Sequence, residues 1–312
     1  MMKFLQIFFL ILIPFFSYTQ DFEKVDRFVA SLKLDKTITI DNLAKEITKP
    51  FKTDIDKVRA IYYWQAENII YDYQGFKSNY WTNYPSEDSL INNTFKFRKG
   101  VCSGYAHLFK YMLEQCDIES EVITGYARNS LETIFLNETN HDWNVVKIDK
   151  KWYLFDVTWA RNTLKKKVDN FWFMTSPDIF ILNHFPEESS WTLTSKKYSL
   201  DEYMNFPIYS NLFFETKFTK EISKKGHFVA SNGSVRILLK PTIDCTIICK
   251  LYDPETKEWS SPKIVDKTKL SGYIDLTLEK KGKFVVQIGA IEKCGSGFFT
   301  YDNLMYYTIE NK

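Results

Sequence analysis

Apolar residues in this chain of 312 residues change from helical to strand-like spacing near residue 121. Upstream of that point, apolar positions recur every three or four residues in several runs. The predicted helices lie at residues 22–32, 41–47, 54–70 and 102–115. Asp54 is the expected N-terminal cap of the longest helix, whereas residues 71–94 are rich in Tyr, Asn and Ser and predict a loop.

Downstream of residue 121 the chain alternates apolar and polar residues, which predicts short strands separated by turns. The first strand-like runs lie at residues 121–126, 143–148, 152–157 and 171–174. The segment 183–206 lacks periodicity and predicts a wrap-around linker. Later runs lie at residues 212–218, 235–239, 246–252, 283–291 and 299–309. About 100 residues of this kind predict a β-sandwich, so we expect a first domain over residues 20–206 and a sandwich over residues 207–312.

The first 19 residues have the layout of a secretory signal peptide. Lys3 precedes an apolar run over residues 4–16, and a short polar stretch contains the expected cleavage site after Thr19. The run of about 13 residues is shorter than the roughly 20 that a membrane-spanning helix needs. We therefore expect a secreted or periplasmic protein with no stable membrane span, with an uncleaved anchor as the alternative.

The net charge of the chain bears on whether it binds nucleic acid. The net charge of +2 is too small to indicate a nucleic-acid-binding surface.

In an oxidising compartment the five cysteines favour pairing, and the odd number leaves at least one free thiol. Cys245 and Cys249 are too far apart along one strand to join each other. A bridge from either of them to Cys294 remains open.

Cys102 has a different setting, because it lies between two glycines at the start of a predicted helix. The local sequence is Gly100-Val101-Cys102-Ser103-Gly104. The N-terminus of a helix carries a partial positive charge and free amide donors, and both stabilise a thiolate. The same amides could serve as an oxyanion site. A buried inert cysteine is the structural alternative.

Two further residues could complete a catalytic set with Cys102. His141 immediately precedes a predicted strand and could project into a cleft from the edge of a sheet. Asp156 lies among large apolar residues, where a carboxylate is unfavourable unless something pairs with it. A neighbouring imidazole would supply that pairing, and the carboxylate would orient the ring.

The register of the predicted hairpin tests this pairing. If His141 directly opposes Asp156, paired residue numbers sum to 297; a tight turn at Lys150-Lys151 gives 301 instead. The second register separates His141 from Asp156 by four residues, about 13 Å. The catalytic set then requires a wider loop or a bulge. Both registers keep Trp143 and Leu154 on one face of the sheet, so the alternation does not choose between them.

Three segments resemble the transglutaminase-like superfamily, especially the branch with kyphoscoliosis-type peptidases and secreted bacterial relatives. They are KVRAIYYWQAENIIYD, GVCSGYAHLFKYMLEQC and NHDWNVVKIDKKWYLFDVTWA, within residues 54–206. Cys102, His141 and Asp156 occur in the order of the family's catalytic residues. The stretch HFPEESSWTL and the β-rich tail are similar to members with an immunoglobulin-like C-terminal domain.

The resemblance implies an α+β, papain-like fold in which the cysteine helix packs on an antiparallel sheet. It also implies acyl transfer from amides through a thioester on Cys102. We expect no cofactor and no metal, because the sequence has no acidic cluster that matches the calcium sites of the family's adhesive animal enzymes. Trp64 and Trp81 are candidates for the position near the oxyanion. Asp142 stands where many relatives have a small residue, and its charge could raise the pKa of His141.

We therefore predict a secreted thiol enzyme with a protein or peptide substrate, with cell-wall peptide as one candidate. Its reaction could be that of a transglutaminase, a deamidase or a cysteine peptidase. The alternative is a catalytically silent binding or scaffold protein of the same fold. A zinc hydrolase is disfavoured because the sequence shows no metal-ligand spacing, and His184 is expected to be a loop histidine satisfied by the backbone.

Overall fold

The computed structural model describes residues 22–35, 37–79, 84–161, 167–168, 170–216, 218–219 and 221–312. The predicted signal peptide and Trp81 lie outside these residues. In the described part of the chain, helices lie at α1 (Glu23–Ser31), α2 (Ile40–Thr48), α3 (Asp54–Asn68), α4 (Tyr73–Ser78), α5 (Glu87–Phe97), α6 (Cys102–Glu114), α7 (Pro177–Phe180), α8 (Leu200–Met204), α9 (Asn211–Thr216) and α10 (Thr268–Ser271).

Hydroxyl side chains begin several of these helices. Thr39, Thr53 and Ser86 each accept a hydrogen bond from an amide in the first turn of α2, α3 and α5. Thr53, not Asp54, caps the longest helix. Asp54 is the first helical residue, where its negative charge suits the helix dipole.

The second half of the N-terminal region forms an antiparallel sheet of five strands. Strands β1 (Ile70–Tyr71) and β2 (Lys99–Gly100) form a separate short parallel pair. The strands of the larger sheet are β3 (Ser120–Ala127), β4 (His141–Ile148), β5 (Lys151–Phe155), β6 (Phe173–Thr175) and β7 (His184–Pro186). Their order in the sheet is β6-β5-β4-β3-β7. Helix α6 packs against this sheet, because its apolar residues share one core with Val146 and Ile148 of β4 and with α2 and α3. This arrangement confirms the predicted α+β class with a cysteine helix on a sheet.

The β4–β5 hairpin has a register between the two predicted ones. Asn144 pairs with Phe155 and Ile148 with Lys151, so paired numbers sum to 299. The turn is formed by Asp149 and Lys150, both with positive φ, which is the backbone of a tight two-residue hairpin turn. Each predicted register was therefore wrong by two residues. A shift of two keeps every side chain on its face.

Three segments differ from their prediction. Residues 71–94 contain α4 and most of α5, because Asp72 and Ser86 cap helices that bury few apolar side chains and so show little periodicity. The supposed linker at 183–206 contributes β7 to the sheet and includes α8. Residues 212–218 lie largely in α9 rather than in a strand.

The remainder of the chain is built from β-strands. They are β8 (Ile208–Tyr209), β9 (His227–Val229), β10 (Ser234–Leu238), β11 (Cys245–Asp253), β12 (Glu258–Ser260), β13 (Lys263–Lys267), β14 (Tyr273–Thr277), β15 (Gly282–Cys294) and β16 (Gly297–Asn311). Six of them, including β8 and the long β15–β16 hairpin, form one sheet, and β10, β14 and β13 form another. Both sheets contribute to one hydrophobic core. An all-β C-terminal region is thus confirmed, and its immunoglobulin-like topology stays a prediction.

The cysteines of this region do not form the bridge that the sequence left open. All five cysteines of the chain have free thiols: Cys245 and Cys249 are buried, and Cys294 is exposed. In the described residues, no helix combines the length and the apolar character that crossing a bilayer requires.

Candidate active site

Cys102 is the first residue of α6, and its side chain is largely buried, with 8% of the residue exposed. The preceding Val101 is extended and has an apolar side chain, so it provides no cap for the first amides of the helix. The thiol therefore lies beside backbone donors and at the positive end of the helix dipole. This is the local setting that the sequence predicted.

The glycines around Cys102 have a packing role. Thr94 of α5 is buried against them, and a β-carbon at Gly104 would lie 2.4 Å from the Thr94 Oγ1. A β-carbon at Gly100 would lie 2.9 Å from the Thr94 Cγ2. Because neither space admits a methyl group, both glycines let α5 pack closely beside the start of the cysteine helix.

His141 and Asp156 meet at the end of the β4–β5 hairpin. His141 begins β4, and Asp156 follows the last residue of β5. In the observed register the two residues are diagonal neighbours rather than a directly opposed pair, and diagonal side chains can still touch. The His141 Nε2 lies 2.8 Å from the Asp156 Oδ2, and both side chains are buried. No wide loop is needed.

Cys102 approaches the same imidazole. Burial by itself would lower the pKa of His141, but the charge of Asp156 and hydrogen bonds with Asp156 and Cys102 outweigh it and raise the pKa to about 10. The carboxylate of Asp156 contacts the Nε2 atom of this ring. The structure thus brings together all three residues that the sequence singled out.

Asp156 is the most strongly stabilised carboxylate of the site. Burial would raise its pKa, but the charge and hydrogen bond of His141, together with a hydrogen bond from His184, hold the pKa well below its usual range. The Asp156 Oδ1 also accepts the backbone amide of Trp159 at 3.0 Å. An ionised carboxylate and a protonated His141 are therefore the stable partners in this buried pair.

His184 is the residue that the sequence reasoning missed. It begins β7 and lies next to Ala127 of β3, and its Nε2 is 3.1 Å from the Asp156 Oδ2. It was expected to be a loop histidine satisfied by the backbone, and this expectation is wrong. The available signal was the position of this histidine at the start of the stretch HFPEESSWTL, which the sequence analysis used only for the C-terminal domain.

Aromatic rings enclose the two histidines. The partly exposed indole of Trp159 stacks on the His141 ring, with a centroid distance of 5.0 Å and an interplanar angle of 25°. The ring centroid of Trp143 lies 6.2 Å from that of His141 and 5.0 Å from that of His184. Shielding of this kind lowers the local dielectric and strengthens the His141–Asp156 interaction.

Trp64 and Asp142, which the sequence analysis also singled out, each contact residues outside the catalytic set. Trp64 is buried beside Phe95, with the Arg98 guanidinium 4.9 Å from its ring centroid. The Asp142 carboxylate accepts a hydrogen bond from the Thr124 hydroxyl at 2.7 Å. Neighbouring residues of a strand point to opposite faces, so Asp142 points away from the His141 ring.

The cluster of His141, Asp156 and His184 also has a composition that can bind metals. One ligand atom from each residue lies within 4.8 Å of the others. However, both Nε2 atoms lie at hydrogen-bond distance from the same carboxylate oxygen, and a carboxylate only accepts. Both nitrogens must therefore carry a proton, whereas a metal needs them deprotonated. The arrangement fits a hydrogen-bonded network better than a metal centre.

Part of the chain is similar to known proteins. Residues 41–157 match the family model of the transglutaminase-like superfamily. Kyphoscoliosis peptidase of Homo sapiens is 28% identical over 209 residues, which cover 64% of this chain and 30% of that protein. Hillarin of Drosophila melanogaster is 24% identical over 224 residues, which cover 62% of this chain and 25% of that protein. The chain thus matches less than a third of the length of either relative.

Among solved structures, a TGase aligns with 18% identity and a TM-score of 0.27. The alignment covers 47% of this chain and 35% of that one.

Proposed function

We propose that the protein is a thiol-dependent acyl-transfer enzyme acting on protein or peptide amides, and the match of residues 41–157 to the transglutaminase-like superfamily model supports this proposal. Cys102 is the nucleophile, His141 is its base and Asp156 orients and stabilises the imidazolium. The observation that carries the proposal is the buried 2.8 Å contact between His141 and Asp156, with Cys102 on the same imidazole at a helix N-terminus.

The reaction follows from these positions. The Cys102 sulfur attacks the carbonyl carbon of the amide, and backbone amides at the start of α6 stabilise the oxyanion that forms. When the carbon–nitrogen bond breaks, the protonated His141 gives its proton to the leaving amine, or to ammonia if the substrate is a glutamine side chain. An amine or a water molecule then attacks the thioester, with His141 accepting the proton, and the thiol is released.

The amide that forms the thioester and the nucleophile that then attacks it together separate three outcomes. Attack by a lysine amine gives a crosslink, attack by water on a glutamine-derived thioester gives deamidation, and attack by water on a peptide-derived thioester completes proteolysis. We propose an exported enzyme whose substrate is a protein or a peptide, and cell-wall peptide belongs to that class. The intact mass of the exported protein tests the export part, with cleavage after Thr19 as the expected result.

Alkylation by iodoacetamide tests the catalytic set without knowledge of the substrate. Labelling at pH 6–7, followed by mass spectrometry of the peptides, gives separate rates for Cys102 and for the exposed Cys294. An active thiolate–imidazolium pair predicts that Cys102 reacts faster than Cys294 although it is far less exposed. The variant His141→Ala should slow Cys102 at least tenfold and leave Cys294 unchanged.

The silent-scaffold alternative gives the opposite result. If Cys102 reacts no faster than Cys294 in the wild-type protein, and His141→Ala changes neither rate, the enzyme proposal fails. A metal-dependent mechanism has its own signature, because a chelator would then abolish turnover of a peptide amide. The thiol mechanism predicts turnover that is unaffected by the chelator.

A further inference from the structure

Two imidazoles, not one, contact the carboxylate of Asp156. From this geometry we infer that His184 is a positioning residue, which holds Asp156 in the orientation that supports His141. This inference rests on the proposed thiol chemistry of Cys102. It adds a fourth residue from a separate part of the chain, 28 positions beyond Asp156 in the sequence.

The hydrogen bonds around Asp156 define one orientation of its carboxylate. Its Oδ2 lies 2.8 Å from the His141 Nε2 and 3.1 Å from the His184 Nε2. Its Oδ1 accepts the Trp159 amide at 3.0 Å. Together, three donors on its two oxygens restrain rotation of the carboxylate about its side-chain bond. Without His184, the orientation of the Asp156 carboxylate beside His141 would depend on the backbone amide of Trp159 alone.

The His184 ring is itself held in place by packing. It stacks on Phe180 with a centroid distance of 4.1 Å and an interplanar angle of 23°. The indoles of Trp159, Trp143 and Trp172 lie at 4.6, 5.0 and 5.2 Å from it. The backbone of His184 pairs with β3 through Ala127. A ring confined in this way can act as a rigid support for Asp156.

The charge state of His184 fits the same role. Burial lowers the pKa of His184 to about 4, and this outweighs the opposing effect of Asp156. A neutral His184 ring donates one N–H to the carboxylate of Asp156 but does not form a second ion pair with it. The negative charge of Asp156 is then available to His141, whose protonated form is needed beside the thiolate. A charged His184 would divide that stabilisation between two imidazolium ions.

Two substitutions separate the hydrogen bond from the packing. His184→Phe keeps an aromatic ring against Phe180 but removes the donor, whereas His184→Gln keeps an N–H near the position of Nε2 but removes the ring. If positioning of Asp156 is the role, His184→Phe slows alkylation of Cys102 about tenfold, which corresponds to about 1.4 kcal/mol. His184→Gln should stay within about threefold of the wild-type rate. Packing alone predicts the reverse order.

The measurement includes its own controls. Cys294 reports any general change in thiol reactivity, and thermal unfolding shows whether each variant is folded. The inference is overturned if Cys102 of His184→Phe is alkylated at the wild-type rate. It is also overturned if both variants are folded and equally slow. Either result leaves the proposed function intact. If one variant does not fold, the other decides: a slow His184→Phe supports positioning, and a slow His184→Gln contradicts it. If wild-type Cys102 is itself unreactive, the proposed function fails first.

Discussion

Raising the pH should lower the free energy of unfolding, because the folded state favours the protonated form of His141 beside Asp156. The folded-state pKa of His141 is raised, so its contribution to folding is fully present below the unfolded value of about 6.5 and is lost as the pH rises through the folded value of about 10. At about 1.4 kcal/mol per pKa unit, this difference corresponds to at most about 5 kcal/mol. Both side chains are buried, so solvent screening does not reduce it substantially.

The matched control is His141→Gln, whose amide can still donate to Asp156 but does not titrate. Both proteins should also carry Cys102→Ser, which removes ionisation of the thiol from the comparison. Urea unfolding at pH 6.5, 8 and 9.5 gives the free energy of unfolding of each protein. The protein with His141 should lose several kcal/mol more than the glutamine variant across this range. Equal losses in the two proteins would refute the stabilised ion pair.

Three further predictions concern other contacts. Asp156→Asn places an amide donor opposite at least one N–H donor, so alkylation of Cys102 should fall about 100-fold, whereas an unchanged rate would remove Asp156 from the catalytic set. Gly104→Ala should lower the free energy of unfolding by about 1–3 kcal/mol because its methyl group overlaps Thr94, and Thr94→Ala in the same protein should restore part of the loss in urea titrations. Asp26→Asn leaves the buried guanidinium of Arg59 without its bidentate carboxylate and should reduce stability by about 3–5 kcal/mol; an unchanged melting temperature would contradict this.

Several helices and strands could be predicted from the sequence because the spacing of nearby apolar residues determines them. The helix from Cys102 to Glu114 and the strands around the β4–β5 hairpin follow the spacing of their apolar residues. The same face of that hairpin buries Trp143, Val145 and Leu154, as the alternation predicts. Helices α4 and α5 were missed because they bury few side chains, and capping rather than periodicity defines their start.

The register of the hairpin could not be predicted for a different reason. The turn uses Asp149 and Lys150 with positive φ, and neither is the Asn-Gly or Asp-Gly pair that usually marks such a turn. Strand alternation is unchanged by a shift of two residues. The pattern of apolar residues therefore cannot distinguish the observed register from the two predicted ones.

By itself, the amino-acid sequence determined which residue types stand at the start of the cysteine helix and at the ends of two strands, since periodicity and chain order depend only on neighbours. Only the tertiary structure decided that His184 joins them. Its β7 strand reaches the sheet through pairing with β3, a contact between segments almost 60 residues apart. Long-range strand pairing is driven by burial and hydrogen bonding in the folded state, and it leaves no periodic signal in so short a segment.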